Sequence, residues 1–210
     1  MIPENSSTLN CDIRFGISGL RNPSLTENFY PSDIPEDWLL DYYRNEFSLI
    51  FMEISELTSH LGNIQQSDTI LADAINELYE DIVGEDFVVL LNVSELAEKR
   101  VEQLLEEIFP EAANEDKTLF LINFKNGAVV ESPAFAIPLK WQKFSREGNN
   151  DLLYYITAEQ AIEPVMLKEM IEQIREHARL EETEVANVIF SSAQHALENC
   201  RNAILIESMM

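Results

Sequence analysis

The sequence predicts an α/β domain, a reduced or incomplete barrel of βα units with an irregular, β-rich middle. Three observations predict it. Short, almost wholly apolar runs recur as SLIFMEIS (48–55), DFVVLLNVS (86–94) and KTLFLINF (117–124), as strands covered on both faces require. Segments with apolar residues at helical spacing separate them, and strand alternating with helix indicates parallel βα units. The alternation then stops: between residues 125 and 150 no stretch has helical periodicity, and turn signals accumulate.

In chain order, residues 1–12 read as a flexible polar lead-in and 13–210 as a single domain. The first strand, 13–18, ends abruptly at Ser18-Gly19. Pro35 suits the first position of a helix, where its missing N–H would be unpaired anyway. Glu36 and Asp37 complement the helix dipole, and Trp38, Leu39, Tyr42, Tyr43 and Phe47 form one apolar face. After the strand 48–55, Asp68 can cap a helix with Leu71, Ala74, Ile75, Leu78 and Ile82 in one stripe, closed by Gly84. After the strand 86–94, a helix runs from Ser94 to about Phe109, stopped by Pro110. Its inward side chains are Leu96, Val101, Leu104, Leu105 and Ile108, and Glu98, Glu102, Glu106 and Glu107 face outward. The strand 117–124 completes this first half.

In the middle, NGAVVES (126–132) reads as a short strand after an Asn-Gly turn. AFAIPLKWQKF, from Ala134 to Phe144, reads as another strand. Pro138 cannot donate to a ladder, so this strand is expected at an edge, bulged or cut short. SREGNN is a loop, and DLLYYI (151–156) a short strand or the approach to a helix. Glu163-Pro164 opens a helix whose stripe is Leu167, Met170, Ile171, Ile174 and Ala178. Residues 184–190 form the last strand. A final helix starts near Gln194, with Ala196, Leu197, Cys200, Ile204 and Leu205 facing the core.

Composition narrows the function classes. A chain of 210 residues with 46% apolar and 9% aromatic content holds a packed core and is not disordered. Its 38 acidic residues against 14 basic give a net charge of −24. That repels nucleic-acid phosphates and anionic membrane surfaces. It suits solubility, or a basic protein partner. MIPENSSTLN has neither the basic nor the apolar region of a signal peptide, and no apolar run approaches the roughly 20 residues of a membrane span. Cys11 and Cys200 lie near opposite ends without metal-ligand spacing. The expectation is a cytoplasmic protein with two reduced thiols and no metal or cofactor.

The opening motifs resemble those of a widespread bacterial family. Ile17-Ser18-Gly19-Leu20, Phe29-Tyr30-Pro31, Trp38-Leu39 with Tyr42-Tyr43, and Met52-Glu53-Ile54-Ser55 follow one another in the order and spacing of the YecE-like family, domain of unknown function 72. At the other end LYYITAEQ, Phe190-Ser191-Ser192 and Asn202-Ala203 occupy similar places, with two serines where the family tends to have asparagines. The resemblance implies a TIM-barrel-like fold, and the family's activity is not something it supplies. It fails in the middle. No counterpart of the family's Glu-x-Arg-His occurs between Phe124 and Ala134, and its Arg-x-His-Gly is replaced by Pro138-Leu139-Lys140-Trp141. TIM barrels take about 250 residues, with roughly 200 as a floor. About two βα units are therefore expected to be missing or collapsed.

Barrels keep their sites at the carboxyl ends of their strands. That selects Ser18, Gly19, Glu53, Ser55, Asn92, Asn123, Lys140 and Ser191, with Ser192 beside it. Glu53 is the sharpest candidate. A carboxylate inside an apolar strand must face a polar mouth or be paired, because burying it alone is costly. It could serve as acid or base, or it could be a structural glutamate. Lys140 could hold an anion, or pack its stem beside Trp141. Glu53, Glu56 and His60 could be imagined as metal ligands, but no second histidine-rich element supports them. His177 reads as a surface residue on a charged helix, and His195 as the start of the last helix. Ser18 lacks the context of a nucleophile elbow, and GISGL lacks that of a dinucleotide fingerprint.

Three functions follow as expectations. The first is a degenerate, non-catalytic module binding a small molecule or a protein, with a homodimer across the Ala134 to Phe144 edge. The second is a small hydrolase- or lyase-like enzyme with Glu53 as acid/base and Ser18 and Lys140 positioning substrate. The third is an acidic mimic that occupies a basic protein.

Overall fold

In β1 (Asp12–Ser18), Ile13, Phe15 and Ile17 belong to the core beneath the helices, so Arg14, Gly16 and Ser18 face the opposite side of the sheet. β2 (Leu49–Glu53), β3 (Val88–Asn92) and β4 (Leu119–Ile122) are apolar on both sides. Ile50, Met52, Val89 and Leu91 join the outer core, and Leu49, Phe51, Val88, Leu90 and Ile122 form an inner one. This double coverage explains the continuous apolar runs. The structure is a computed structural model and describes residues 11–58, 68–83, 86–108, 118–124, 128–130, 139–146 and 149–210.

Among the described residues, one eight-stranded sheet runs in the order β4-β3-β2-β1-β8-β7-β6-β5. Its second half is β5 (Ala128–Val130), β6 (Leu139–Arg146), β7 (Asn149–Ile156) and β8 (Val185–Phe190). This is the cyclic order of a barrel cut between β4 and β5. β1 is parallel to β2 and β8, and the parallel pairing continues through β3 to β4 and from β8 to β7. β6 runs antiparallel to both its neighbours. The sheet curls until its arms meet. Phe120 of β4 packs on Phe144 of β6, and Phe51 of β2 on Tyr155 of β7, with ring centroids 5.9 and 5.1 Å apart. Side chains therefore fill the interior of an incomplete barrel.

The helices lie outside: α1 (Pro23–Asn28), α2 (Leu39–Tyr43), α3 (Ile54–Thr58), α4 (Asp68–Ile82), α5 (Glu98–Ile108), α6 (Pro164–Leu180) and α7 (Ala196–Ser208). α6 buries the five residues that its spacing predicts. α4 buries Leu71, Ile75, Leu78 and Ile82, with Ala74 half-buried. Each such large apolar side chain stabilises the fold by about 1.5–3 kcal/mol. Tyr43 of α2 does more than fill space. Its hydroxyl accepts from Ile17 N–H at 2.8 Å and donates to Leu49 C=O at 2.9 Å, bridging β1 to β2. Gly16 sits beside that bridge, where a Cβ would stand 2.1 Å from the Leu49 carbonyl oxygen.

Several expectations are corrected. All eight strands are present, so no strand-bearing unit is missing. What the described residues lack is a helix between β4 and β7. The connections there, 123–127, 131–138 and 147–148, are shorter than the dozen or more residues of a parallel crossover. β6 is not an edge strand, because β5 and β7 flank it, and this removes the basis for a homodimer across that edge. It begins one residue after Pro138, while residues 134–138 lie outside the described residues. Most of SREGNN is strand, since the β6–β7 ladder continues to Arg146↔Asn149.

Pro35 caps a 3₁₀ turn, Glu36–Trp38, that precedes the short α2. Leu39, Tyr43 and Phe47 face the core, while Trp38 and Tyr42 are 60% and 38% exposed. The strand expected over 48–55 ends at Glu53, and α3 starts at once with Ile54. Leu205 is 58% exposed, because α7 turns Ala203 inward instead. Gly84, Pro110 and the side chains of Leu105 and Ile108 lie outside the described residues.

Candidate functional site

The abrupt end of β1 has a local cause. Gly19 takes a positive φ of 81° that L side chains rarely adopt, and its N–H still donates to Phe51 C=O at 2.8 Å. Asn22 closes the turn. Its Nδ2 donates to Ser18 C=O at 3.1 Å, and its Oδ1 accepts the Ser24 N–H at 2.9 Å, capping α1. The Ser18 side chain is thereby left on the inner face at the carboxyl end of β1.

Alternation along the neighbouring strands brings other polar groups to the same end. Tyr155 is the inward residue near the end of β7, and Ser191 follows β8. The Tyr155 hydroxyl lies 2.6 Å from Ser191 Oγ and 3.1 Å from Ser18 Oγ. It has one proton, so it donates to one serine and accepts from the other. Its ring packs on Phe51 and Phe124, with centroids 5.1 and 5.3 Å away. Three strands thus share a hydroxyl chain over an aromatic floor.

On the other side of Ser18, Glu53 ends β2 and pairs in register with Asn92 at the end of β3. Asn92 Nδ2 donates to Glu53 Oε2 at 2.9 Å. The Asn92 Oδ1 accepts from Phe124 N–H at 3.0 Å and Ser94 N–H at 3.2 Å, which fixes the amide's orientation. Burial pushes the Glu53 carboxyl above the ordinary carboxylate range; the Asn92 hydrogen bond opposes this, and the charge of Glu95 adds to it. Glu56, on α3, accepts from Leu20 N–H at 3.2 Å and Glu53 N–H at 3.3 Å. Burial raises its pKa too, against those two hydrogen bonds.

Of the residues selected from the sequence, Ser18, Gly19, Glu53, Asn92 and Ser191 gather at this mouth. Lys140 pairs in register with Tyr155, so it stands at the same end, exposed to solvent. Ser55 does not join them: it lies on α3 and is exposed. Asn123 is exposed beyond β4, and the inward place belongs to Phe124. Ser192 is buried, and its Oγ accepts from Gln194 N–H and His195 N–H in the turn before α7. His60 lies outside the described residues, among which no group of three or more His, Cys, Asp or Glu could hold a metal.

Two residues were missed. Tyr155 is the hub of the hydroxyl chain, and strict alternation through LLYYI would have found it, since it separates Tyr154 from Tyr155. His177 is half-buried rather than at the surface. Its Nδ1 lies 2.6 Å from the Tyr154 hydroxyl, and its ring packs edge-on against Trp141 at 4.6 Å.

Cys11 and Cys200 are free thiols. Burial pushes Cys11 up to about 11 and Cys200 well above the ordinary thiol range, so neither forms a thiolate readily. Among the described residues no helix is long and apolar enough to cross a membrane.

No protein-family model matches the chain, and no curated protein matches it. Among solved structures it is similar to a DUF72 family protein from Thermotoga maritima, with 13% identity and a TM-score of 0.45, over 94% of this chain and 98% of that one. This is a likeness of fold to a member of the family that the opening motifs resemble.

Proposed function

We propose that the chain is a binding module whose ligand sits at the carboxyl-end mouth of the incomplete barrel. The observation that supports this is the polar arc at that mouth, Glu53–Asn92 on one side and Ser18–Tyr155–Ser191 on the other, set over Phe51 and Phe124. Its chemistry suits a small, hydroxyl-bearing molecule. The carboxylate accepts from hydroxyls, the serines and tyrosine donate or accept, and the two glutamates disfavour an anion. The mouth hydroxyls bond to one another, and the glutamate to an amide. Among the described residues none of these hydroxyls bonds to a general base, which favours binding over catalysis.

A second reading is acid/base catalysis by Glu53. It is favoured by the burial that raises its pKa toward the range a catalytic acid needs. A thermal-shift screen of polyols, monosaccharides and small amides against the native chain and Glu53→Gln separates the two, with turnover of each hit measured in parallel. The binding reading predicts hits that stabilise the native chain, lose affinity in Glu53→Gln and are recovered unchanged. Consumption of a hit that stops in Glu53→Gln would replace it with the enzymatic reading.

A further inference from the structure

On the outer side of β2, away from the mouth, the molecule holds a cavity of about 460 Å³. Four elements build it: the turn after β1, the 3₁₀ turn with α2, the junction of β2 and α3, and one face of α4. Its floor is apolar. Leu39, Met52 and Leu78 are buried there, with Leu40 and Leu57 half-buried beside them. Its rim is acidic, formed by Glu36, Asp37, Glu77 and Asp81, with Glu56 set deeper. Arg21 is the basic residue of the lining, and it is paired with Glu36. Asp37, Glu77 and Asp81 have no basic partner among the described residues.

We propose that this cavity binds a small amphipathic organic cation, a primary amine or guanidinium carried on an apolar body. The volume falls within the range of about 300–1,000 Å³ typical of small-molecule sites. The leucine and methionine floor would take the apolar body out of water. Glu77 and Asp81 lie four residues apart on one face of α4, so both reach the same point of the rim. An ammonium placed there meets two carboxylates and stays partly solvated. Anions are repelled both by this rim and by a chain of net charge −24. Glu56 strengthens the case, because its carboxylate is desolvated at the inner wall and a nearby cation would stabilise its charged form. The site is separate from the mouth: Met52 and Glu53 are consecutive on β2 and point to opposite faces.

The test is a titration of the full, methyl-labelled chain with 4-phenylbutylamine, 4-phenylbutanol and 4-phenylbutyrate, followed by NMR. The amine is expected to shift the methyls of Leu39, Leu57 and Leu78 saturably, with the alcohol several-fold weaker and the carboxylate weakest. Glu77→Gln with Asp81→Asn changes two exposed side chains. It is expected to weaken the amine by roughly three- to tenfold, the scale of two exposed ion pairs, while leaving the alcohol unchanged. Equal affinities for the three probes, no saturable shift with the amine, or shifts confined to the surroundings of Tyr155 would each overturn the proposal.

Discussion

Asn92 donates its side-chain amide to Glu53 across the β2–β3 ladder, at 2.9 Å, while two backbone N–H groups hold its carbonyl oxygen in place. The amide therefore cannot flip without losing all three bonds. Asn92→Asp keeps both backbone bonds and sets a second carboxylate against Glu53. It is expected to destabilise the fold by about 1–3 kcal/mol at neutral pH. The loss should shrink as the pH falls and one carboxyl of the pair protonates. Urea unfolding at two pH values checks both the size and the trend.

The Tyr43 hydroxyl is a built-in rung between β1 and β2. Tyr43→Phe leaves the Ile17 N–H and the Leu49 C=O unpartnered in a dry core. Unfolding free energy is expected to fall by about 1–3 kcal/mol, with hydrogen exchange accelerated at Ile17.

Gly16 has a narrower reason to be glycine. A methyl group there would collide with the backbone of Leu49, which belongs to a paired strand and cannot swing aside. Gly16→Ala is expected to destabilise by about 3 kcal/mol or more, the upper range of overpacking. A thermal melt within a few degrees of the native one would contradict the β1–β2 spacing.

Burial raises the native pKa of both Glu53 and Glu56 above the usual 4.5. Such groups hold protons more readily folded than unfolded. Their contribution is complete below 4.5 and is lost as the pH rises through the native values. The net charge of −24 acts in the same direction, because deprotonation adds to self-repulsion. Stability is therefore expected to decline from mildly acidic to neutral pH, and Glu53→Gln should make that decline shallower. Unfolding midpoints across a buffer series measure the slope, and an unchanged slope in the variant would show that Glu53 is not desolvated.

Much of this architecture was legible in the residues. β2, β3, β4 and β8 are apolar on consecutive positions, a pattern set by burial on both faces. The stripe of α6 is regular over four turns, and the structure buries all five of its predicted members. The failures share a different cause. α1 is only six residues long and owes its start to Asn22 and Pro23 rather than to an apolar stripe. The pairing of β6 on both sides depends on a three-residue strand, β5, that has little periodicity to detect. At the mouth, Glu53 stood out because a charge in an apolar run is costly. Tyr155 did not, because a tyrosine beside a tyrosine announces neither its face nor its partners. Ser18 and Ser191 come together only through pairing across 137 and 36 positions with Tyr155, which no local pattern encodes.

The most direct test of the binding site at the mouth is native mass spectrometry of freshly purified protein at modest ionic strength, on the native chain and on Glu53→Gln. The account predicts a native chain carrying a small additional mass that is absent from Glu53→Gln and much reduced in Tyr155→Phe. A native chain that carries no added mass, or one whose added mass persists unchanged in both variants, would contradict it.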